Sequence, residues 1–515
     1  MGSTFMGLET SKRGLQTQQS ALYTTGHNIS NANTLGYSRQ RVNMEATSGF
    51  PGVGLNAGTM PGFLGTGVTA GSIQRIRDGF VDKQFRDETN KLGYWESRTD
   101  AISQMEDVLA EPSEYGLQQS LTDFWKSLGV LSTDPENGGA RAVVVERGVA
   151  VADSFNYIHK SLKNIQDNLG KEIGASVNTI NSILKQVGDL NKQITDVEPN
   201  GYMPNDLYDA RDNLLDQLSQ LVPIEVSYEK SGGNALAISE GSATVRIKTG
   251  DATNPFITVV SKNSFSQMSP TAADGTDESK NPKGAITGFA FSGGPEEITN
   301  LKVENMQNSG SLKSQVNSYG FQEGGTEKGL YPDMLAELDR MAKVFIEEFN
   351  KVHKSGEPLP TPEGQPAKDK VENFFEGTGA ASIKVLESVR KDPSRVNASN
   401  AAGEAGNGAN AKNLGDVLFK PLEGLGGDTV QSFFSGKIIG ELGVKGQQAI
   451  NMTKNAGTLL GAVSNRRDSI SSVSLDEEMT NMISFQQAYN ASARMITVVD
   501  ETLDKIINGM GVVGR

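Results

Sequence analysis

The 515-residue chain contains no cysteine. Disulfides, thiolate metal sites and cysteine nucleophiles are therefore excluded together. A small exported domain often depends on disulfides, but a chain of this length can bury enough apolar surface without them. Zero cysteine also suits a protein that passes from a reducing to an oxidising compartment. Only three histidines occur, His27, His159 and His353, and none stands at a metal-binding spacing. Aromatic residues make up 6% of the chain, too few for one large aromatic core, so an elongated helical molecule is expected rather than a compact ball. The chain also lacks basic excess. Its net charge is −14 and its lysines and arginines are dispersed, so neither nucleic acid nor an anionic membrane surface is an expected partner. No apolar run approaches the roughly 18 residues of a spanning helix. The polar segment 1–22 has no basic stretch followed by an apolar one, so no cleaved signal peptide is expected. There is no G-x-S-x-G elbow, no H-E-x-x-H and no phosphate loop, so no catalytic residue, metal or cofactor is assigned. Residues 274–278 resemble a fragment of a calcium loop but lack its full ligand series, and a turn is the expected reading.

What the chain does have is heptads at both ends. Leu8, Leu15, Leu22 and Ile29 recur every seven residues among Gln, Ser, Thr, Lys and Gly. Such a stripe keeps one narrow face toward a partner helix. The run from Asn31 to Gly36 ends it, because Asn and Gly favour turns and left-handed backbone. At the other end Leu475, Met482, Tyr489, Ile496 and Leu503 repeat the spacing. Met479, Ala493 and Ile507 are expected at the paired position, with Gln486 and Asp500 as polar breaks. Ser474 and Glu477 have capping-box spacing. Both stripes are buried only if the two ends meet each other or other copies of the chain. Short isolated helices are marginal in water, so residues 1–40 and 472–515 are expected to be poorly ordered in a free monomer.

Between the ends the period changes twice. Residues 41–79 read as an extended linker or hairpin, broken by Pro51, Pro61 and glycines, with a strand from Val68 to Ile76. Helical pattern then runs to Leu221. Asp134 and Pro135 are expected to open its longest helix. From Val145 to Ile194 apolar residues step by about 3.5, the coiled-coil period. Alternation at Ile224, Val226 and Tyr228, and again at Val245 and Ile247, marks strands, with 231–234 as a hairpin turn. Helical pattern returns from Leu335 to Val352 and again near Ile438. The expected fold is mainly α with an inserted β domain. Residues 1–40 plus 472–515 form paired terminal helices, 80–223 plus 307–471 a helical rod, and 224–306 a distal β domain.

The run from His27 to Gln40, HNISNANTLGYSRQ, resembles the N-terminal signature of the flagellar rod, hook and hook-associated protein family. The segments 475–479, 484–489 and 493–496 resemble its C-terminal counterpart. Residues 36–40, the helical region after 80, the stretch 331–353, 374–379 and the 397–413 loop resemble the hook-associated branch. The resemblance implies a structural subunit, not an enzyme, that needs no cofactor and sits outside the cell at the junction of hook and filament. It implies export through the flagellar type III apparatus without a cleaved signal, after a dedicated chaperone has bound the C-terminal segment. It also implies partners: other copies of the chain in a ring-like layer, the hook protein and the next hook-associated junction protein. The assembly residues it points to are Leu8, Leu15, Leu22, Ile29, Asn31, Asn33, Gly36, Tyr37, Leu475, Met479, Met482, Tyr489, Ile496 and Leu503. A hook or distal rod subunit remains an alternative, as does a wall-active enzyme carried on flagellar-type ends.

Overall fold

The computed structural model describes residues 5–50, 65–109, 116–360 and 370–509. Helix α1 (Met6–Ser30) leads through the signature loop to an antiparallel hairpin, β1 (Gln40–Ala46) with β2 (Val68–Arg75). Residues 51–64, with Pro51 and Pro61, lie outside the described residues. Helices α2 (Gly79–Leu109), α3 (Leu117–Thr133), α4 (Gly138–Val197) and α5 (Asn205–Leu221) follow.

The 60-residue α4 is the spine of the molecule, about 90 Å long at 1.5 Å per residue. Its coiled-coil stripe is buried almost throughout, with Val145, Phe155, Leu162, Ile173, Val177, Ile180, Val187 and Ile194 inside. The start of the helix corrects the sequence expectation. Asp134 terminates α3, and the cap of α4 is Asn137, whose side chain accepts from the amides of Gly139 and Ala140. A short Asn carbonyl reaches two orphan amides at once, and the two glycines after it leave the approach open.

The strand region begins with a four-stranded sheet in the order β3 (Ile224–Glu229), β4 (Ser242–Lys248), β5 (Phe256–Ser261), β6 (Ser264–Phe265). The connection between β3 and β4 is not the tight turn expected at 231–234. Glu229 pairs with Ser242, and the long loop between them closes over α5, where Arg211 donates to the Gly241 carbonyl. A second sheet contains β7 (Gln267–Ala272), β8 (Ile286–Ser292) and β9 (Ile298–Lys302). It continues past residue 306: after α6 (Ser311–Tyr319), β10 (Phe321–Glu323) joins β8 in parallel and β11 (Thr326–Lys328) joins β10. Residues 274–281 form a turn, in which the Asp277 carboxylate accepts from the amides of Ser279 and Asn281.

Helix α7 (Leu330–Ser355) returns along α4, followed by the small pair β12 (Phe375–Glu376) and β13 (Lys384–Val385), then α8 (Glu387–Lys391), α9 (Ala409–Asp416) and α10 (Val430–Ser432). Here the core is aromatic. Phe124, Phe345, Phe349, Phe374 and Phe375 are fully buried, with neighbouring ring centroids 4.8 to 6.0 Å apart. A π-helical segment (Phe433–Gly440) leads into α11 (Glu441–Ser471), which runs antiparallel beside α2. Small residues let these two approach: Gly446 lies against Ile102, and the Thr453 and Thr99 hydroxyls meet at 3.0 Å. The last helix, α12 (Leu475–Gly509), packs on α1. The accessible surface is 26318 Å², against about 18,000 Å² for a compact monomer of this mass, which reflects the elongated shape.

Candidate assembly interface

The two chain ends meet within one molecule. A side-chain carbon placed on Gly14 would lie 3.3 Å from the Ser492 hydroxyl, and one on Gly7 would lie 3.7 Å from Val499. Fourteen residues beyond Gly14, the Asn28 amide donates to Glu478 at 3.0 Å. Each seven-residue step along α1 thus matches a seven-residue step back along α12. The helices are antiparallel, and Ala21 falls opposite Phe485.

This register corrects the expected seam. On α12 the contact face combines Met482, Tyr489, Ile496 and Leu503, all half-buried, with the line Glu478, Phe485, Ser492, Val499. The expected partner line fails: Met479 is 57% and Ile507 69% exposed, while Ala493 is half-buried. Leu475 is exposed as well. Heptad geometry permits a step of three or four between the two lines, and the polar Glu478 and Ser492 disguise the line that is used. On α1, Leu8, Leu15, Leu22 and Ile29 are half-buried and flank a seam made by Gly7, Gly14, Ala21 and Asn28. The next face of α1 docks on the hairpin, where the Thr17 hydroxyl donates to the Val68 carbonyl.

The signature loop closes this joint. Asn28 is 1% exposed and uses its whole amide. Its oxygen accepts from the Gln40 amide and the Tyr37 hydroxyl, and its nitrogen donates to the Gln40 carbonyl and to Glu478. His27 Nδ1 lies 2.9 Å from the same Tyr37 oxygen. Burial, with help from Asp209, Asp206 and Glu478, pushes the Tyr37 phenol up, so it stays protonated and can donate. Arg39 reaches Glu478 at 2.7 Å and Glu477 at 2.8 Å, and its amide donates to the Ser471 carbonyl. Glu477 is thereby engaged with Arg39 rather than with the start of its own helix. Asn31 holds the loop by donating to the His27 carbonyl. Gly36 has φ +78, and a side-chain carbon there would lie 2.2 Å from Asn213, so glycine is required twice over. Of the loop residues assigned to assembly from the sequence, Asn31, Gly36 and Tyr37 are half-buried and Asn33 is exposed.

Beneath the loop lies an ionic cluster that the sequence reading missed. Ser38 donates to Asp209 at 2.7 Å. Arg75 pairs with Asp209 and Asp212, Arg77 with Asp212 and Asp82, and Arg86 with Asp212 and Asp216. Arg467 of α11 joins Asp82 and Asp216. Burial pushes the Asp212 carboxyl up, but Arg77, Arg75 and Arg86 outweigh it and hold it far below the usual range. Burial keeps the Asp209 carboxyl raised despite Arg75 and Ser38. The cluster ties the hairpin, α2, α5 and α11 into one body. A signal was present in the sequence: Asp209, Asp212 and Asp216 make one acidic face at helical spacing.

Among the described residues, no group of three or more His, Asp or Glu is arranged to hold a metal, and no helix is long and apolar enough to cross a membrane. His353 is buried and structural. Its Nε2 accepts from the Asn397 amide, which leaves Nδ1 to donate to the Glu372 carbonyl.

The paired chain ends, tied by the ionic cluster to a long helical body, make an elongated, mainly helical molecule. Comparison with known proteins narrows the class. Residues 102–369 match the model for the helical domain of flagellar hook-associated protein FlgK. Residues 8–37 match a flagella basal body rod protein model, and residues 467–509 the C-terminal model of the FlgEFG basal body rod proteins. The chain is 45% identical to flagellar hook-associated protein 1 of Bacillus subtilis across 100% of both chains. It is 25% identical to that of Escherichia coli over 96% of this chain and 98% of the other. The solved structure of the flagellar hook junction protein FlgK from Burkholderia pseudomallei has a similar fold, with TM-score 0.57 at 12% identity over 76% of this chain and 100% of that one. The chain belongs to the flagellar hook-associated protein 1 family and is a structural component of the bacterial flagellum.

Proposed function

We propose that this protein forms the layer on which the filament is joined to the hook. The observation that carries the reading is the likeness to hook-associated protein 1 along the whole chain, both ends included. The α1–α12 pair, residues 1–40 with 472–515, is the part that packs against other copies in a ring-like layer, and the helical and β regions lie outside it. The half-exposed Leu8, Leu15, Leu22, Ile29, Met482, Tyr489, Ile496 and Leu503, the exposed Leu475 and Met479, and Asn33 face or border those neighbours. Asn31, Gly36 and Tyr37 act one step back, by holding the loop that sets the angle of the pair. The remaining partners are the hook protein below, the next hook-associated protein above, and, before assembly, an export chaperone and the type III export apparatus. The role is structural, without catalysis, metal or cofactor.

Deleting the gene tests the reading. Cells are expected to build hooks, lack filaments and release flagellin. Loss of the hook itself would assign the chain to the hook or rod instead. A point variant isolates the terminal pair. Ile496→Asp puts a charge into a half-buried seam, and the expected outcome is a secreted protein with normal circular dichroism of its body that builds no junction. Normal filaments on such cells would show that this seam does not hold the assembly.

A further inference from the structure

A cavity of about 420 Å³ opens where α1, the hairpin and the start of α5 meet, a size ordinary for a ligand site. Its apolar wall is made by Ile73, Met203 and Leu207. Tyr23 lines it as well, 77% exposed and one helical turn before His27, so the two rings share a face of α1. The side chains of the polar wall have spent their donors. Asn205, 6% exposed, donates to the Gln40 side-chain oxygen at 3.1 Å and to the Ile73 carbonyl at 3.0 Å. Gln40 Nε2 reaches Asp206 at 3.4 Å, and the Thr24 hydroxyl donates to the Ser20 carbonyl. The Tyr37 hydroxyl gives its proton to Asn28, so His27 Nδ1 is the donor in its contact with Tyr37.

What remains is a set of acceptors. Neutral His27 keeps the Nε2 lone pair, Asn205 Oδ1 is buried with no hydrogen-bond partner, and the exposed Asp206 carboxylate has capacity to spare. The described lining holds no lysine or arginine. The amides of Asn205, Leu207 and Tyr208 turn back to the Met203 and Pro204 carbonyls, and Asp206 offsets the positive end of α5, so the site does not suit an anion. A buried acceptor left without a donor costs free energy until a ligand supplies one. We propose that the cavity takes the guanidinium of an arginine side chain carried by another polypeptide. A guanidinium has five donors and no acceptor, stacks on an aromatic ring, and sheds water more readily than an ammonium, which the apolar wall favours. With Tyr23 in water the cavity is reached from the surface, so the aliphatic stem can run out to a backbone outside. The site belongs to the single subunit and does not depend on the junction reading.

The test is a calorimetric titration of the full-length monomer with Nα-acetyl-L-argininamide, which mimics arginine within a chain. Saturable binding in the millimolar range is expected, and weaker binding of Nα-acetyl-L-lysinamide. Asp206→Asn should weaken the arginine probe by about tenfold and Tyr23→Ala by about threefold, whereas Tyr23→Phe keeps the ring and should keep most of the affinity. Both side chains are exposed, so the variants are expected to fold, and circular dichroism and melting check this before binding is read. Absence of saturable binding to the normal chain would overturn the inference. So would equal affinity for the lysine probe, or binding indifferent to both Asp206→Asn and Tyr23→Ala. Free L-arginine binding more tightly than the blocked probe would replace the polypeptide by a free amino acid and overturn that assignment. Loss of hooks on gene deletion would instead remove the junction reading, so the two failures are distinguishable.

Discussion

Around α4 the helices are held chiefly by fully buried apolar side chains, and Phe124, Phe349, Phe374 and Phe375 interlock there as in any domain core. Between α1 and α12 the same fold sets glycine, alanine and an Asn–Glu contact against apolar side chains that are only half-buried, and most of α12 remains in water. Yet the terminal helices carry the cleaner heptads. Heptad regularity therefore does not measure stability. The body buries its stripe within the molecule, whereas the terminal pair keeps apolar surface in reserve and is held in place by polar contacts at one end. Between the two stands the arginine–aspartate cluster, which belongs to neither chemistry and fixes one region on the other.

The sharpest way to break this comparison is to damage the body. Phe349→Ala removes a fully buried ring from the aromatic cluster and should lower unfolding free energy by about 4 kcal/mol. Denaturant titration of the full chain would measure it. A loss below about 1 kcal/mol would mean that the cluster is not the stabilising centre. Asp212→Ala leaves Arg75, Arg77 and Arg86 without their shared acid. Breaking a buried pair from one side typically costs about 3 kcal/mol, and early proteolysis near the hairpin is expected with it. Unchanged cleavage there would show that the cluster does not anchor the hairpin.

His353 gives a pH test confined to the body. Burial lowers its pKa from 6.5 to about 4, so the folded state keeps it neutral. Its contribution is fully present above pH 6.5 and is lost as pH falls from there through 4. Integrated over that window it amounts to about 3 kcal/mol. Denaturation midpoints of the normal chain and His353→Leu, compared between pH 7 and 4, should differ in slope, with the variant flatter. Parallel slopes would exclude His353 as the acid-sensitive group.

The smallest energies belong to the ends. Amide hydrogen exchange of the free monomer should show α1 and α12 opening well before α4, because sparsely buried elements open locally at low cost. Equal protection in both would erase the contrast. This is a milder form of the disorder expected from the sequence: the helices have partners in their own molecule, but thin ones.

The sequence was informative where one physical signal sufficed. The apolar period gave α4 and α12 their length, alternation gave the strands after Pro223, and the signature run with its C-terminal counterpart pointed to the flagellar family. It was less informative where a contact depends on which of two lines a helix presents. Glu478 and Ser492 carry no hydrophobic signal, so the true second line of the α12 seam stayed hidden. Asn137 outcompeted Asp134 as a cap because of local geometry that composition does not record. Strand β10 lies past a helix from the strand it joins, beyond any local pattern.

By itself, the sequence determined the long helices, the strands after Pro223 and the heptad stripes at both ends, because periodicity and turn chemistry act over a few residues. Only the tertiary structure decided that the ends pair with each other, in antiparallel order, and that Asn28, Tyr37, Arg39 and Glu478 lock them together. Those partners stand some 450 positions apart, and a hydrogen bond between them exists only once the intervening body has folded and brought the two ends to the same place.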